Sequence, residues 1–311
     1  MSRSAVTNVG CLARVVCLLA AASCSGGATS PQGGPLSAAQ QDVCRRVERA
    51  YRENAPDYPA QRAAAVQDAA VTAWLIRVFV LDVFRAREQR PLGKDEDVLR
   101  AAARIGVPLE SRAIAEIVAL GEKAVPVLVG DLLLHDQPQP RELGVELLVR
   151  IGAPAAPALR DVALHGEKRE QRAAARALAA IGVDAEALAV LRQLAVDSDF
   201  TVRSDAVRGI HDGGVPARDL LVARVAKDDD AFVRRVAAQS LAHFPDAVAA
   251  RALVDYLARC DAENDRQGGV VAQASLQVIA GTRGLRSVAE WRAFAAALEE
   301  APGAGGARTR R

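Results

Sequence analysis

The stretch RELGVELLVRIGAPAAPALRDVALHGEKREQRAAARALAAIG, residues 141–182, decides the fold of this chain. Its first part has the spacing of an amphipathic helix and ends at Ile151 and Gly152. A short proline-bearing turn follows, and a second helical pattern runs to Leu164. A new helical pattern then starts at Glu167. The stretch therefore contains one pair of helices and the beginning of the next pair.

Helix pairs of this kind are predicted along residues 107–284. Successive first helices end about 30 residues apart, at Leu120, Ile151, Ile181 and Ile210. Because one pair cannot bury its apolar stripe alone, neighbouring pairs have to stack. The repeat predicts an all-α fold, an α-solenoid of paired antiparallel helices. The predicted pairs are 109–120 with 125–135, 142–151 with 155–165, 170–181 with 185–196, 201–210 with 217–227, and 232–243 with 247–260.

Two segments within the repeats share a residue pattern. VRSDAVRGI (residues 202–210) and VRRVAAQSL (residues 233–241) begin with Val-Arg, with an Ala three residues after the Arg and an aliphatic residue four further on. QRAAARALAAIG (residues 171–182) has Arg, Ala and Leu in the same order from Arg172. These segments resemble HEAT repeats, particularly the short HEAT-like kind first noted in phycobilin lyases.

The resemblance implies a HEAT/armadillo-like superhelix and two features of its repeats. In HEAT repeats a small Ala lets the two helices of a unit approach closely, and an acid and the Arg of successive units pair into a ladder. Acidic residues precede both Val-Arg segments here, at Asp197 and Asp199 and at residues 228–230. Neither Arg112 nor Arg141 follows a Val, so the ladder is not expected to continue through the first two units.

The composition excludes some functions. Half of the 311 residues are apolar and a quarter are charged, which is typical of a chain that buries a core. Without residues 1–23, which contain two arginines and no acid, 38 basic and 38 acidic residues remain. A neutral chain gives no electrostatic reason to expect nucleic acid as a partner. The class of HEAT-like DNA glycosylases, which use a strongly basic concave face, is therefore not expected.

The N-terminus has the parts of an export signal. Arg3 and Arg14 supply positive charge, residues 15–22 are apolar, and small residues precede Cys24. This stretch, residues 1–23, resembles a bacterial lipoprotein signal peptide, which implies that Cys24 becomes the first mature residue and carries the lipid. The resemblance implies a location in the bacterial cell envelope, facing the periplasm or the cell exterior. The alternatives are an ordinary export signal and an uncleaved N-terminal anchor.

The remaining segments flank the repeats. Residues 38–106 are predicted to form an N-terminal helical cap, with a long helical pattern over residues 61–89. Arg77 and Asp82 interrupt its apolar run, which is too short to span a bilayer. The lipid anchor and flexible tether are predicted over residues 24–37, and a disordered tail over residues 301–311. A C-terminal capping helix is predicted over residues 285–300, and its apolar stripe contains Trp291, Phe294 and Leu298.

No motif of a known chemistry occurs in the sequence. The phosphate-binding glycine loops and the GxSxG nucleophile motif are absent, and no His lies three or four residues from another His or Cys. The prediction is therefore no catalytic residue, no metal and no cofactor. Cys44 and Cys260 lie at opposite ends of the predicted solenoid, so no disulfide is expected between them.

One surface is a candidate for binding a partner. Arg160, Arg192 and Arg224 recur every 32 residues on second helices, which line the concave face of HEAT-like solenoids. The alternative interpretation is that these arginines are solvated surface charges, because Arg is abundant throughout the chain. The predicted concave face comprises Arg160, Arg192, Arg224, Arg251, Asp255 and Arg259.

The sequence favours a non-catalytic scaffold that binds a protein or a peptide, and contacts a membrane only through its lipid anchor. The alternative is an enzyme or an enzyme subunit of the phycobilin-lyase HEAT-like type, although no cluster of His, Cys and Tyr suggests a tetrapyrrole groove. Absorbance after addition of a bilin distinguishes these two functions.

Overall fold

The computed structural model describes residues 35–89 and 109–300. These residues fold into α-helices with short 3-10 and π segments and form no β-strand, so the all-α prediction is confirmed. The predicted signal peptide, Cys24 and the C-terminal tail lie outside the described residues. The chain divides into two compact units, Met1–Ala155 and Ala156–Arg311.

The first unit contains the predicted N-terminal helices and the first repeats. Its long apolar helix α3 packs against α1 and α4, which gives the unit its core. The helices are α1 Ala38–Glu53, α2 Tyr58–Ala65, α3 Ala69–Gln89, α4 Leu109–Leu120, α5 Val125–Leu128 with a π segment Val129–Leu133, and α6 Pro138–Ile151; 3-10 turns occupy Gly121–Ala124 and Ala153–Ala155.

The single long helix predicted over residues 61–89 is wrong, because α2 and α3 are separate helices. The break is caused by Asp68, whose Oδ1 accepts the backbone N–H groups of Ala70 at 2.8 Å and Val71 at 3.1 Å. These two N–H groups belong to the first turn of α3, where the helix itself offers no carbonyl to accept them. The carboxylate of Asp68 takes that place. The acidic cap therefore fixes the start of α3 at a point where the apolar pattern alone predicts a continuous helix.

The two charges that interrupt the apolar run of α3 are held by ion pairs. Asp82 is fully buried and its Oδ2 lies 2.6 Å from Nη1 of Arg52, whereas Nε of Arg77 lies 2.7 Å from Oδ2 of Asp131. A buried charge is tolerated when it is paired in this way. None of the helices in the described ranges combines the length and the apolar composition that a bilayer span requires.

The second unit contains the most regular repeats. First helices α8, α10, α12 and α14 pack one against the next, and we call them the first-helix row. Among the second helices, α7 packs against α9, α11 against α13, and α13 against α15. The helices are α7 Ala156–His165, α8 Lys168–Ile181, α9 Ala185–Leu194, α10 Phe200–Arg208, α11 Gly214–Lys227, α12 Ala231–Leu241, α13 Ala247–Glu263, α14 Arg266–Ala280 and α15 Val288–Glu300, with a 3-10 turn at Ile210–Gly213.

A small, buried residue recurs every 31 residues in the first helices. Gly144 shows why it is small: a Cβ there would lie 2.9 Å from the Cβ of Leu132 and 3.0 Å from the backbone nitrogen of Leu133. The first helix of that repeat therefore approaches the preceding helix too closely for a larger side chain. The six residues at this position are Ala113, Gly144, Ala175, Ala206, Ala237 and Gly268.

Candidate functional site

An arginine also recurs every 31 residues, three positions before the small residue. Arg141, Arg203 and Arg234 each donate from Nη1, at 2.9 Å, to the backbone carbonyl six residues earlier. That carbonyl belongs to the segment that leads into each first helix. The guanidinium therefore satisfies a carbonyl in a connecting segment and fixes that segment against the helix. Arg141 makes this bond although Pro140 precedes it instead of a Val.

Within the second unit, these arginines also reach acids further along the chain. Arg203 binds Asp228 through two hydrogen bonds, Nε to Oδ2 at 3.1 Å and Nη2 to Oδ1 at 2.9 Å, and both side chains are buried. Arg172 pairs with Asp205 at 2.7 Å, and Nη2 of Arg234 lies 4.0 Å from a carboxylate oxygen of Glu263. The expected ladder between successive repeats is confirmed from Arg172 onward.

The charge state of Asp228 follows from this contact. Burial alone raises the pKa of a carboxyl group, but the hydrogen bonds and charge of Arg203 outweigh that effect and lower the pKa of Asp228. Asp228 is therefore ionised at neutral pH. The ladder is a structural device that joins repeats, and its arginines are not free to bind a partner.

The predicted concave-face residues all lie on second helices of the second unit. Four of them form ion pairs with acids of the same chain, so their charge is already compensated. These pairs are Arg160 with Glu186 at 2.6 Å, Arg224 with Asp228 at 3.6 Å, Arg259 with Glu263 at 2.8 Å, and Arg251 with Glu299.

The other two predicted residues, Arg192 and Asp255, are exposed. Neither forms an ion pair or a side-chain hydrogen bond with any residue in the described ranges. The sequence analysis grouped Arg160 with Arg192 by their spacing, because the sequence could not place Glu186 beside Arg160. Of the six predicted residues, Arg192 and Asp255 are therefore the two whose charge is not compensated within the described ranges.

Histidine and cysteine side chains are scarce in the ranges that the structure describes, residues 35–89 and 109–300. No group of three or more His, Cys, Asp or Glu side chains in those ranges is placed to hold a metal ion. Cys44 and Cys260 are buried and free, and burial raises the pKa of both thiols. His135 accepts a hydrogen bond from the backbone N–H of Gln137 at 3.0 Å, which is a local turn contact.

A groove that the sequence did not predict lies between α12 and α14. Its volume is about 510 Å³. Phe232 and Val236 of α12 and Val270 of α14 give it an apolar lining, and Arg235 and Arg266 lie among them. The one signal in the sequence is the composition of α14, which has a single charged residue.

The comparison with protein families agrees with this geometry. A family model of HEAT repeats matches residues 125–211, which are similar to HEAT repeats over that range. The helix pairs of the described residues define an all-α helical repeat, and residues 125–211 of it are similar to HEAT repeats. A search of curated proteins found no matching relative.

Proposed function

We propose that this protein is a non-catalytic scaffold that binds a protein or peptide partner through the second helices of its second unit. The observation that carries the proposal is the placement of Arg192 and Asp255, exposed and unpaired among the described residues, on α9 and α13. Helical-repeat proteins present long surfaces made by one helix of every repeat. The similarity of residues 125–211 to HEAT repeats supports the same class of function.

The compensated charges limit the kind of partner. Arg160, Arg224, Arg251 and Arg259 have acids of their own chain beside them, so this surface presents little net charge. A surface whose unpaired charges have both signs, as at Arg192 and Asp255, suits a polypeptide with both signs of charge better than a polyanion. The partner is therefore a protein or peptide segment.

Photo-crosslinking tests the binding surface. A benzophenone amino acid placed at Arg192 or Asp255 should give a discrete crosslinked product containing a second polypeptide, in cells of the native host. The same group at Arg49, an exposed residue of α1 in the first unit, is the control and should give none. Equal products at all three positions, or none at Arg192 and Asp255, would contradict the proposed surface.

The proposal includes a lipid anchor at Cys24 in the bacterial envelope. The support is the order of positive charge, apolar run and small residues before Cys24. A lipid chain attached there would hold the repeats at a membrane through the tether of residues 24–37.

We expect Cys24→Ala to leave an unprocessed precursor that incorporates no labelled fatty acid, because acylation needs the thiol. Labelling with a radioactive fatty acid and the mass of the mature chain measure this. Cys44→Ala, which removes a buried thiol elsewhere, is the control and should still be lipidated. A Cys24→Ala chain that matures to the wild-type mass and stays in the membrane fraction would disprove the anchor.

A further inference from the structure

Helix α14 exposes apolar side chains on the side opposite its buried face. Val270 and Val278 are 70% and 67% exposed, the highest values among the large hydrophobic residues in the described ranges, and Ala274 between them is exposed. The outer face of a surface helix normally carries charged and polar side chains. In α14 the only charged residue is Arg266, at its first position.

The position of α14 in the fold makes this outer face unusual. In the first-helix row, α8, α10 and α12 are each followed by another first helix, whereas no further first helix follows α14 in the described ranges. The terminal helix α15 packs against α13. Exposed patches of large apolar side chains commonly mark interaction surfaces, so this face is a candidate interface.

The groove beside this face has the shape to receive side chains. Phe232, 40% exposed, forms part of one wall, Val270 forms part of the other, and Val236 is buried between the two helices. A groove of about 510 Å³ holds several side chains of a partner. A flat lipid surface would leave it unfilled, so the groove favours a polypeptide.

Three arginines and two acids surround the groove, which leaves a net positive charge. Arg208, Arg235 and Arg266 line it; the nearest acids are Asp205, 4.0 Å from Arg208, and Asp265, 3.8 Å from Arg235. Arg266 forms no ion pair with a residue in the described ranges. The unpaired charge of Arg266 therefore complements an acidic side chain of a partner.

We propose that the α14 surface, defined by Phe232, Val270, Val278, Arg208, Arg235 and Arg266, binds an acidic amphipathic helix of another protein. That helix would lie along the groove between α12 and α14, with its apolar side chains toward Val270 and Val278. This inference rests on the proposed scaffold function but names a second surface, on the first helices. The chain's own residues 301–311 contain three arginines and no acid, so they lack the complementary charge.

Peptide binding measured by fluorescence anisotropy tests the proposal. The probe is a labelled helix of about five turns, with Leu on one face and Glu elsewhere, and the protein is the chain from residue 24 to residue 311. We expect saturable binding that weakens as salt is added. The double variant Val270→Glu/Val278→Glu should weaken binding about tenfold or more, because both substitutions place negative charge at the contact.

The control double variant is Val215→Glu/Val248→Glu. These valines are 58% and 43% exposed in the first turns of second helices α11 and α13, so the change in net charge is identical at a different surface. Binding should change by less than about twofold in this control. Thermal melts of both double variants should match the wild type, because all four residues are exposed.

Five results would overturn the inference, and the first four concern binding. They are the absence of saturable binding, equal binding of a twin peptide with Lys in place of Glu, an equal loss in both double variants, and Val270-dependent binding to vesicles of phosphatidylcholine and phosphatidylglycerol. Concentration-dependent dimerisation that Val270→Glu/Val278→Glu abolishes would assign the surface to a second copy and overturn it as well. If the peptide does not bind but crosslinks form at Arg192 and Asp255, the α14 surface is contradicted while the proposed scaffold function is still supported.

Discussion

Arg203→Ala should lower the free energy of unfolding by about 3 kcal/mol, because it leaves a buried carboxylate with only the more distant Arg224, at 3.6 Å, as a cationic partner. The side chain of Asp228 is 1% exposed, and Arg203 supplies two of its hydrogen bonds. The variant also removes the donors to the carbonyls of Asp197 and Ser198, which lead into α10. Chemical denaturation at neutral pH measures the loss.

Two further variants identify its cause. Arg192→Ala removes an exposed arginine that has no partner in the described ranges and should change stability by less than about 0.5 kcal/mol. Arg203→Ala/Asp228→Ala removes both charges and should be more stable than Arg203→Ala alone, since no buried carboxylate remains unpaired. A double variant as unstable as the sum of the single variants would show that the ion pair is not the cause.

The same pair predicts a dependence on pH. The folded pKa of Asp228 is lowered from its ordinary value of 3.8, so its contribution to stability is present above that value. The contribution is lost as the pH falls through the lower, folded pKa. The stability difference between the wild type and Arg203→Ala should therefore narrow below pH 3.8.

The repeats were predictable because their signals are local and periodic. The small residue of each first helix recurs every 31 residues, and in four of these helices an Arg lies three positions before it, as at Arg203 and Ala206 and again at Arg234 and Ala237. Tight packing admits only a small residue at the second of these positions, so the constraint is visible in the sequence. The helix pairs and the ladder follow from it.

Contacts between distant residues were not predictable in the same way. Glu186 compensates Arg160 from the next second helix, and nothing in the sequence near Arg160 indicates this. The break before α3 depends on the carboxylate of Asp68, which competes with an apolar pattern that continues across it. The exposed face of α14 was missed because valines at helical spacing ordinarily predict a buried stripe.

The C-terminal helix α15 was predicted to cover the end of the repeats. One buried residue of this helix, Trp291, allows that role to be tested. Trp291 is fully buried, and its ring meets that of Phe294 edge-on with centroids 5.9 Å apart. Helix α15 packs against α13, the second helix of the preceding pair. The indole is therefore the largest side chain that joins α15 to the second unit.

Trp291→Ala should lower the free energy of unfolding by about 3–5 kcal/mol, because it leaves a cavity where a large aromatic ring was buried. Thermal and chemical denaturation measure the loss, and binding of a hydrophobic dye should rise as α13 loses its cover. Phe294→Ala is the matched control and should cost less, since Phe294 is only half-buried. Trp291→Phe keeps an aromatic ring and should lie between the wild type and Trp291→Ala. If Trp291→Ala were no less stable than Phe294→Ala, α15 would not close the second unit through this contact.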